Sequence, residues 1–310
     1  MKKVFIDGAS GTTGLRIHDR LAARNDIELI TLAEKDRKDP AAITEALNAS
    51  DLSFLCLPDD AAREAVTYVT NPETVILDTS TAHRTMPGWT YGFPELSPRH
   101  RAAIASSKRI AVPGCHASGF IVLIYPLIEA GLIAPDTALT CFSLTGYSGG
   151  GKKMIAQYEA EDRDPLLDAP RQYGISQQHK HLKEMVAVTG LDIAPVFCPI
   201  VDNFYSGMEV TVPLFARDLR NGATADDVRA LYRSRYNTPV VRYMDGGDEQ
   251  GFLSAGLLTG KDSMTIGVFG NEERILLSAR YDNLGKGASG AAVQCMNIAM
   301  GADMLTGLEL

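Results

Sequence analysis

The feature that most constrains the fold lies in the first two dozen residues. Lys3-Val4-Phe5-Ile6-Asp7 has the character of a short buried strand and runs straight into Gly8-Ala9-Ser10-Gly11-Thr12-Thr13-Gly14. Beyond this loop Leu15, Ile17, His18 and Leu21 follow a helical pattern. A strand, a glycine loop and a helix start in that order form the opening of a nucleotide-binding βαβ unit. Glycines at 8, 11 and 14 allow a tight turn, close approach of backbone to a pyrophosphate and close packing of helix on strand. The spacing is G-x-x-G-x-x-G instead of G-x-G-x-x-G. Gly8, Ser10, Gly11, Thr12, Thr13 and Gly14 are therefore the candidate pyrophosphate contacts.

A second strand is predicted over Ile27–Leu32, followed by Ala33-Glu34-Lys35-Asp36-Arg37-Lys38 where the adenosine ribose of a dinucleotide is read. Lys35, Arg37 and Lys38 there favour NADP over NAD, since cations neutralise a 2′-phosphate. A mixed-charge surface turn would carry the same residues. Leu52–Leu57 and Val75–Asp78 repeat the buried-strand pattern. Ligands of open parallel sheets collect beyond the carboxyl ends of such strands, which makes Pro58, Ser80 and Arg84 candidate wall residues.

Cys115 stands in Val112-Pro113-Gly114-Cys115-His116-Ala117-Ser118-Gly119, where a Pro-Gly turn delivers a thiol onto an apolar, helix-like run from Phe120 to Ile133. The open N–H groups and positive dipole end of a helix start favour thiolate over thiol, and so a nucleophile. A cysteine lacking other signals is more commonly a small buried hydrophobe. After this helix the texture changes to strand-like segments at Leu139–Tyr147, Val196–Ile200, Met208–Phe215, Ser263–Phe269 and Ile275–Tyr281 with helices between some of them, as in an α+β domain with a mostly antiparallel sheet. His179-Lys180-His181 places two of the six histidines two residues apart, suited to proton exchange with a thiol or simply to a polar helix lead-in. A zinc site is not expected, because a third ligand at sensible spacing is missing. Ser148-Gly149-Gly150-Gly151-Lys152 is an amide-rich loop that could receive phosphate or turn the chain.

With 310 residues, of which 45% are hydrophobic, the chain can fill two packed domains. A net charge of −8 without long like-charge runs argues against nucleic acid or an anionic membrane as principal partner. No apolar stretch reaches membrane-spanning length and the N-terminus enters a strand at once, so a cytoplasmic protein without a signal peptide is expected. Five cysteines at irregular spacing do not form a disulfide framework. No internal repeat or low-complexity tract is evident.

The glycine loop, Tyr91-Gly92-Phe93-Pro94-Glu95-Leu96, Pro113-Gly114-Cys115, Ser148-Gly149-Gly150, His179-Lys180-His181 with Glu184, and Tyr281-Asp282-Asn283-Leu284-Gly285-Lys286-Gly287-Ala288 occur in one order along the chain. This ordered set resembles the N-acetyl-gamma-glutamyl-phosphate reductase family, in its shorter form, over essentially the whole length. One departure is His116-Ala117-Ser118 after the cysteine, where many members carry Tyr-Pro-Thr. The resemblance implies the fold shared with aspartate-semialdehyde dehydrogenase and glyceraldehyde-3-phosphate dehydrogenase: a Rossmann-type parallel-sheet domain (1–114 and 286–310) interrupted by a catalytic and oligomerisation domain (115–285). The apolar run Ala291–Met304 would then pack back on the first domain.

It further implies NADPH-dependent reduction of N-acetyl-glutamyl 5-phosphate to N-acetylglutamate 5-semialdehyde and inorganic phosphate, a step of arginine biosynthesis, through a thioester on Cys115. By the same resemblance His181 is the acid/base, His179 lies closer to substrate or phosphate, and Arg84 holds the substrate α-carboxylate. Tyr173, Ser148, Gly149 and Glu184 are substrate or supporting positions, and Asn283 and Gly287 lie beside the nicotinamide. A homodimer or homotetramer is expected. The rivals are an aspartate-semialdehyde dehydrogenase-like acyl-phosphate reductase with another substrate, and a non-catalytic NADP-binding redox sensor. A short-chain dehydrogenase would need a Tyr-x-x-x-Lys pair after the glycine loop, and a cysteine hydrolase would leave that loop without purpose.

Overall fold

A strand buried on both sides must feed two cores alternately, and the first strand does so. The computed structural model describes residues 1–310. Its strand β1 (Lys2–Asp7) sends Val4 and Ile6 into one apolar cluster and Phe5 into another. There follow α1 (Thr12–Ala22), β2 (Ile27–Ile30), α2 (Pro40–Ala49), β3 (Leu52–Leu55), α3 (Asp59–Thr67), β4 (Val75–Asp78), β5 (Thr90–Tyr91), α4 (Pro98–Ser106) and β6 (Arg109–Ala111).

The second run holds α5 (Cys115–Glu129), β7 (Thr140–Gly146), α6 (Gly151–Glu159), β8 (Arg171–Gln172), α7 (His181–Thr189), β9 (Val196–Asp202), β10 (Met208–Phe215), α8 (Ala225–Arg235), β11 (Val241–Tyr243), β12 (Met264–Gly270) and β13 (Arg274–Tyr281). A π-helical turn at Gly285–Ser289 then leads into α9 (Gly290–Ala299). The chain divides into two compact units, Met1–Gly114 with Ala288–Leu308, and Cys115–Gly287 with Glu309–Leu310.

In the first unit six parallel strands lie in the order β2-β1-β3-β4-β6-β5. The order reverses at β1, so the carboxyl ends of β1 and β3 border the crevice where such sheets bind ligands. Ile17 and Leu21 of α1, Ile104 of α4 and Ala291, Ala292, Val293, Met296 and Ile298 of α9 cover one face. Leu47 of α2 and Ala62 and Ala65 of α3 cover the other. Of the apolar run Ala291–Met304, the helix takes only the part up to Ala299, and Met300 and Met304 reach the same core from the turns beyond it.

The second unit is built on a seven-stranded mixed sheet, β11-β12-β13-β10-β7-β9-β8, antiparallel at four of its six pairings. Side chains alternate across it: Cys141, Ser143, Val210, Val212, Leu277, Ala279 and Tyr281 are buried, while Phe142, Phe215, Leu276 and Val196 share the exposed face. Helix α5 packs against β10 and β13. It starts at Cys115, five residues earlier than the apolar run suggests, and nearly every residue from His116 to Leu127 is buried. It stops at Glu129 instead of Ile133, because Gly131 at φ 69 closes a Schellman motif with Leu132 N–H on Leu127 C=O at 2.8 Å and Gly131 N–H on Ile128 C=O at 3.0 Å. Pro126 inside the helix cannot donate to Val122 C=O, and the buried Tyr236 hydroxyl donates to that carbonyl at 2.5 Å instead.

The three loop glycines differ in what they make possible. A Cβ on Gly14 would lie 2.4 Å from Gly8 O, and one on Gly8, itself at φ +81, would lie 2.4 Å from Cys56 O. A Cβ on Gly11 would come no closer than 3.4 Å to its neighbours. Gly14→Ala is therefore expected to destabilise the protein by about 1–3 kcal/mol, and Gly11→Ala, at an N-cap, by less than about 1 kcal/mol. Denaturant unfolding of both variants checks this; equal losses would contradict the packing reason.

Candidate active site

In the first unit the loop after β1 opens α1 with Gly11 as N-cap and no side chain capping it, and with no acidic residue in the first turn. Its leading amides are therefore left to an anion. A cavity of about 660 Å³ runs from Gly8 and Ser10 to Lys35, Arg37 and Lys38, so the glycine loop and the predicted 2′-phosphate cations line one space. Asp7, buried at the end of β1 on the same cavity, has its carboxyl pushed up to about 6 by burial, against the opposing hydrogen bond from Gly8.

At the carboxyl end of β4 the expected wall residues prove to be tied to the backbone. Ser80 Oγ donates to Asp78 Oδ2 at 2.7 Å and accepts from Ala82 N–H at 3.1 Å. His83 Nδ1 meets Asp78 Oδ2 at 2.6 Å, and its ring stacks on Trp89 at 4.0 Å. Arg84, expected to grip a carboxylate, donates from Nε to Val112 C=O at 2.8 Å and from Nη2 to Thr79 C=O at 2.9 Å. Its guanidinium fork braces two chain segments, a role its planar donors serve as well as they would a ligand. Pro58 precedes α3 as its N-cap residue.

In the second unit Cys115 is the first residue of α5 and is half-buried. Tyr281 Oη donates to Cys115 C=O at 2.6 Å, and a Cβ on Gly287 would stand 3.1 Å from Cys115 Cβ. Gly287 thus packs on the thiol-bearing residue itself. Two other cysteines are unsuited to nucleophilic work: burial pushes the Cys56 thiol up to about 12 and raises that of Cys141 well above its ordinary value.

The residue after Cys115, noted in the sequence only as a departure from the family pattern, is a further member of the site. His116 is buried at the centre of an imidazole cluster, with ring centroids 5.7 Å from both His179 and His181, while His179 and His181 are 4.8 Å apart. Phe197 lies 5.4 Å from His116 and 5.1 Å from His179. His116 Nδ1 is hydrogen-bonded to Ser143 Oγ at 2.7 Å and Nε2 to Tyr173 Oη at 2.6 Å. Burial, helped by His179, pushes its pKa down to about 3, so the ring is neutral.

His181 opens α7 and its backbone N–H donates to His179 Nδ1 at 3.2 Å. An accepting Nδ1 fixes neutral His179 as the tautomer with its proton on Nε2, a donor towards whatever lies beyond. Burial and Lys180 lower the His179 pKa, which acts in the same direction. Glu184, buried, follows His181 by three residues and shares its helix face.

Tyr173, His179, His181 and Cys115–His116 thus come together. Ser148 and Asn283 form a neighbouring pair: Asn283 Nδ2 donates to Ser148 Oγ at 3.0 Å, and Asn283 Oδ1 accepts from Gly207 N–H at 2.9 Å. Gly149 abuts the Asn283 amide, where a Cβ would be 3.5 Å from Nδ2. The signal that could have revealed His116 was present, since three of six histidines flank the motifs that carry the cysteine and the His-Lys-His. The imidazoles meet edge to face, and no three His, Cys, Asp or Glu side chains are arranged to hold a metal ion. No helix is long and apolar enough to cross a membrane.

Comparison with known proteins gives this geometry a class. A family model described as "Semialdehyde dehydrogenase, NAD binding domain" matches residues 3–104, and one described as "Semialdehyde dehydrogenase, dimerisation domain" matches 115–283. The fold is that of aspartate semialdehyde dehydrogenase II from Vibrio cholerae, with TM-score 0.72 and 16% identity over 97% of this chain and 98% of that one. It is equally that of aspartate semialdehyde dehydrogenase from Francisella tularensis, with TM-score 0.72 and 15% identity over 97% and 100%. Fold and thiol site together define an oxidoreductase of the semialdehyde dehydrogenase class.

Within that class the sequence is much nearer to another branch. It is 43% identical to the N-acetyl-gamma-glutamyl-phosphate reductase of Burkholderia lata, covering 96% of each chain. It is 42% identical to N-acetyl-gamma-glutamyl-phosphate reductase 2 of Nostoc sp., covering 99% of each. The chain belongs to the N-acetyl-gamma-glutamyl-phosphate reductase family.

The neutral, buried His116 has a consequence for stability. Its folded pKa of about 3 lies below the roughly 6.5 of an unfolded imidazole, so on acidification the unfolded chain binds a proton that the folded chain refuses. The stability it contributes is complete above pH ~6.5 and is lost as pH falls from there towards about 3. In His116→Asn the acid arm of unfolding free energy against pH should be shallower by about one proton. An unchanged slope in denaturant titrations at several pH values would count against the neutral ring.

Proposed function

We propose that this enzyme reduces N-acetyl-glutamyl 5-phosphate to N-acetylglutamate 5-semialdehyde and phosphate, in arginine biosynthesis, with NADPH as reductant and Cys115 as nucleophile. The observation that carries the mechanism is a half-buried thiol on the first residue of a buried helix whose second residue, His116, clusters with His179 and His181.

Cys115 as thiolate attacks the acyl carbon. The tetrahedral oxyanion is held by amides of the first turn of α5, and the carbon–oxygen bond to phosphate breaks to leave a thioester. When bound, the reduced nicotinamide supplies the hydride that reduces this thioester. Breakage of the carbon–sulfur bond in the resulting thiohemiacetal frees the aldehyde and returns the thiolate.

Proton transfer at the reacting oxygen is assigned to His181 by resemblance to the family, and the hydrogen bonds of the other two imidazoles agree with that assignment. His116 has both nitrogens in hydrogen bonds to hydroxyls, and His179 uses Nδ1 as an acceptor. Their neutrality also serves His181, since a charged ring 4.8 or 5.7 Å away would oppose its protonation. His179 Nε2–H and Tyr173 serve as donors to substrate or phosphate oxygens, with Ser148, Gly149 and Glu184 supporting them. The bracing of Arg84 against Thr79 and Val112 favours a role in holding the loop after β4 over direct capture of a carboxylate.

For the cofactor, the uncapped start of α1 suits the pyrophosphate, with Gly8, Ser10, Gly11, Thr12, Thr13 and Gly14 around it. Lys35 and Arg37, with Lys38, suit a 2′-phosphate. By resemblance to the family, Pro58 and Ser80 of the first unit and Asn283 and Gly287 of the second are each cofactor-binding positions. The exposed apolar row Val196, Phe142, Phe215 and Leu276 suits burial against a second copy, so we assign a homo-oligomer, cytoplasmic in location.

In the reverse direction, NADP reduction by N-acetylglutamate semialdehyde should require phosphate, and aspartate semialdehyde should be a poor substrate. Cys115→Ser should lower kcat by at least about 10³-fold. His181→Asn should cost about 10²-fold or more in kcat with little change in KM, whereas His179→Asn should act mainly on KM; the reverse pattern would exchange their roles. Lys35→Ala with Arg37→Ala should raise KM for NADPH about 10-fold or more while leaving NADH little changed. Equal effects on both cofactors would remove the 2′-phosphate assignment.

A further inference from the structure

The mechanism leaves unused a tyrosine hydroxyl buried at the very turn that carries the nucleophile. Tyr281 ends β13, faces α5 and is completely buried. Its Oη accepts from Gly119 N–H at 3.0 Å and donates to Cys115 C=O at 2.6 Å. Those are the donor and acceptor that open the helix, four residues apart, so one hydroxyl bridges the first turn. The room for it comes from Gly119: a Cβ there would lie 2.6 Å from Tyr281 Oη and 2.5 Å from Val210 Cγ2. On its other side Cys115 is bounded by Gly287, whose added Cβ would stand 3.1 Å from Cys115 Cβ. The nucleophile's backbone is thus held from the sheet through a hydroxyl and limited by a glycine opposite.

We propose that Tyr281 is a positioning residue, whose hydroxyl sets the first turn of α5 so that the Cys115 thiol and the amides behind it are aligned for thiolate stabilisation and acyl transfer. The inference rests on Cys115 being the nucleophile. The hydroxyl touches only backbone, and burial, with Cys115 close by, raises its pKa well above the ordinary value, so it stays a neutral donor throughout the working pH range. A merely structural tyrosine would matter for stability. A positioning one matters for the reactivity of the sulfur, because the hydroxyl tethers both ends of the first helical turn to the sheet, and without its oxygen the turn loses that tether and Cys115 shifts with it.

The test is Tyr281→Phe in the full-length enzyme, read three ways. Expected are a kcat lower by about 10- to 100-fold with KM near the parent value, a thermal midpoint close to the parent, and an upward shift in the pH midpoint of Cys115 alkylation by iodoacetamide without substrate. Cys115→Ser supplies the blank for the other thiols. A second variant, Gly119→Ala with Val210→Gly, removes both strand carbons that the new methyl would meet while displacing the hydroxyl. It should shift the alkylation midpoint in the same direction. Parent-like kcat and alkylation profile in Tyr281→Phe, or a loss of stability with the alkylation midpoint unmoved, would overturn the proposal. Full activity in Cys115→Ser would instead overturn the nucleophile assignment, so the two failures are distinguishable.

Discussion

A helix buried on all sides has no water to satisfy its irregular backbone groups, and the site depends on how α5 meets that constraint. Three buried tyrosines add side-chain hydrogen bonds to its backbone. Tyr281 bridges Cys115 C=O and Gly119 N–H, Tyr236 takes the Val122 carbonyl that Pro126 cannot serve, and Tyr232 donates to Leu123 C=O. Each phenol is fully buried, so each ring fills core volume while its oxygen serves the backbone. The Schellman closure at Gly131 completes the far end. A rigid apolar rod results, and the thiol sits on its first residue, where the macrodipole favours negative charge.

Charge partition among the imidazoles follows from the same burial. Three rings within 6 Å of one another cannot all be cationic in an apolar setting, and the hydrogen bonds decide which give way. His116 is flanked by two hydroxyls, neutral groups that do nothing to favour an imidazolium. His179 accepts a backbone N–H at Nδ1, a bond that protonation there would destroy. Burial and hydrogen bonding thus act together in keeping His116 and His179 neutral. Asp78 with His83, in the other unit, shows the opposite arrangement, a carboxylate against a ring nitrogen, used there to hold the loop that contains Ser80 and Arg84.

The elements most legible in the sequence are those whose pattern is local. The strand, glycine loop and helix at the N-terminus, the apolar stretches of β3 and β4, and the alternating runs of β10 and β13 declare themselves because each residue's burial follows from its own period. Short pieces such as β5 and β6, of two and three residues, offer too few positions for any period to show. The far end of α5 is less legible: the apolar run continues to Ile133, but Gly131 is the true stop. For the site, the Pro-Gly-Cys turn and the His-Lys-His pair stand out by composition. His116 does not, because its importance lies in contacts with Ser143 and Tyr173, 27 and 57 residues away.

Residue type alone could not separate ligand contact from scaffold, and Arg84 and Asn283 illustrate why. A guanidinium that would fit a carboxylate fits two main-chain carbonyls equally well, and an amide able to face a cofactor can instead tie Gly207 N–H to Ser148 Oγ. Both groups are multidentate, and multidentate side chains are the economical way to fix loops that lack regular backbone pairing. The same logic extends to Tyr281, whose hydroxyl is both donor and acceptor and so can span a helix turn where a one-sided group could serve only one end. Polar side chains of this kind act on backbone, and that is how a single phenol comes to hold the turn on which Cys115 sits.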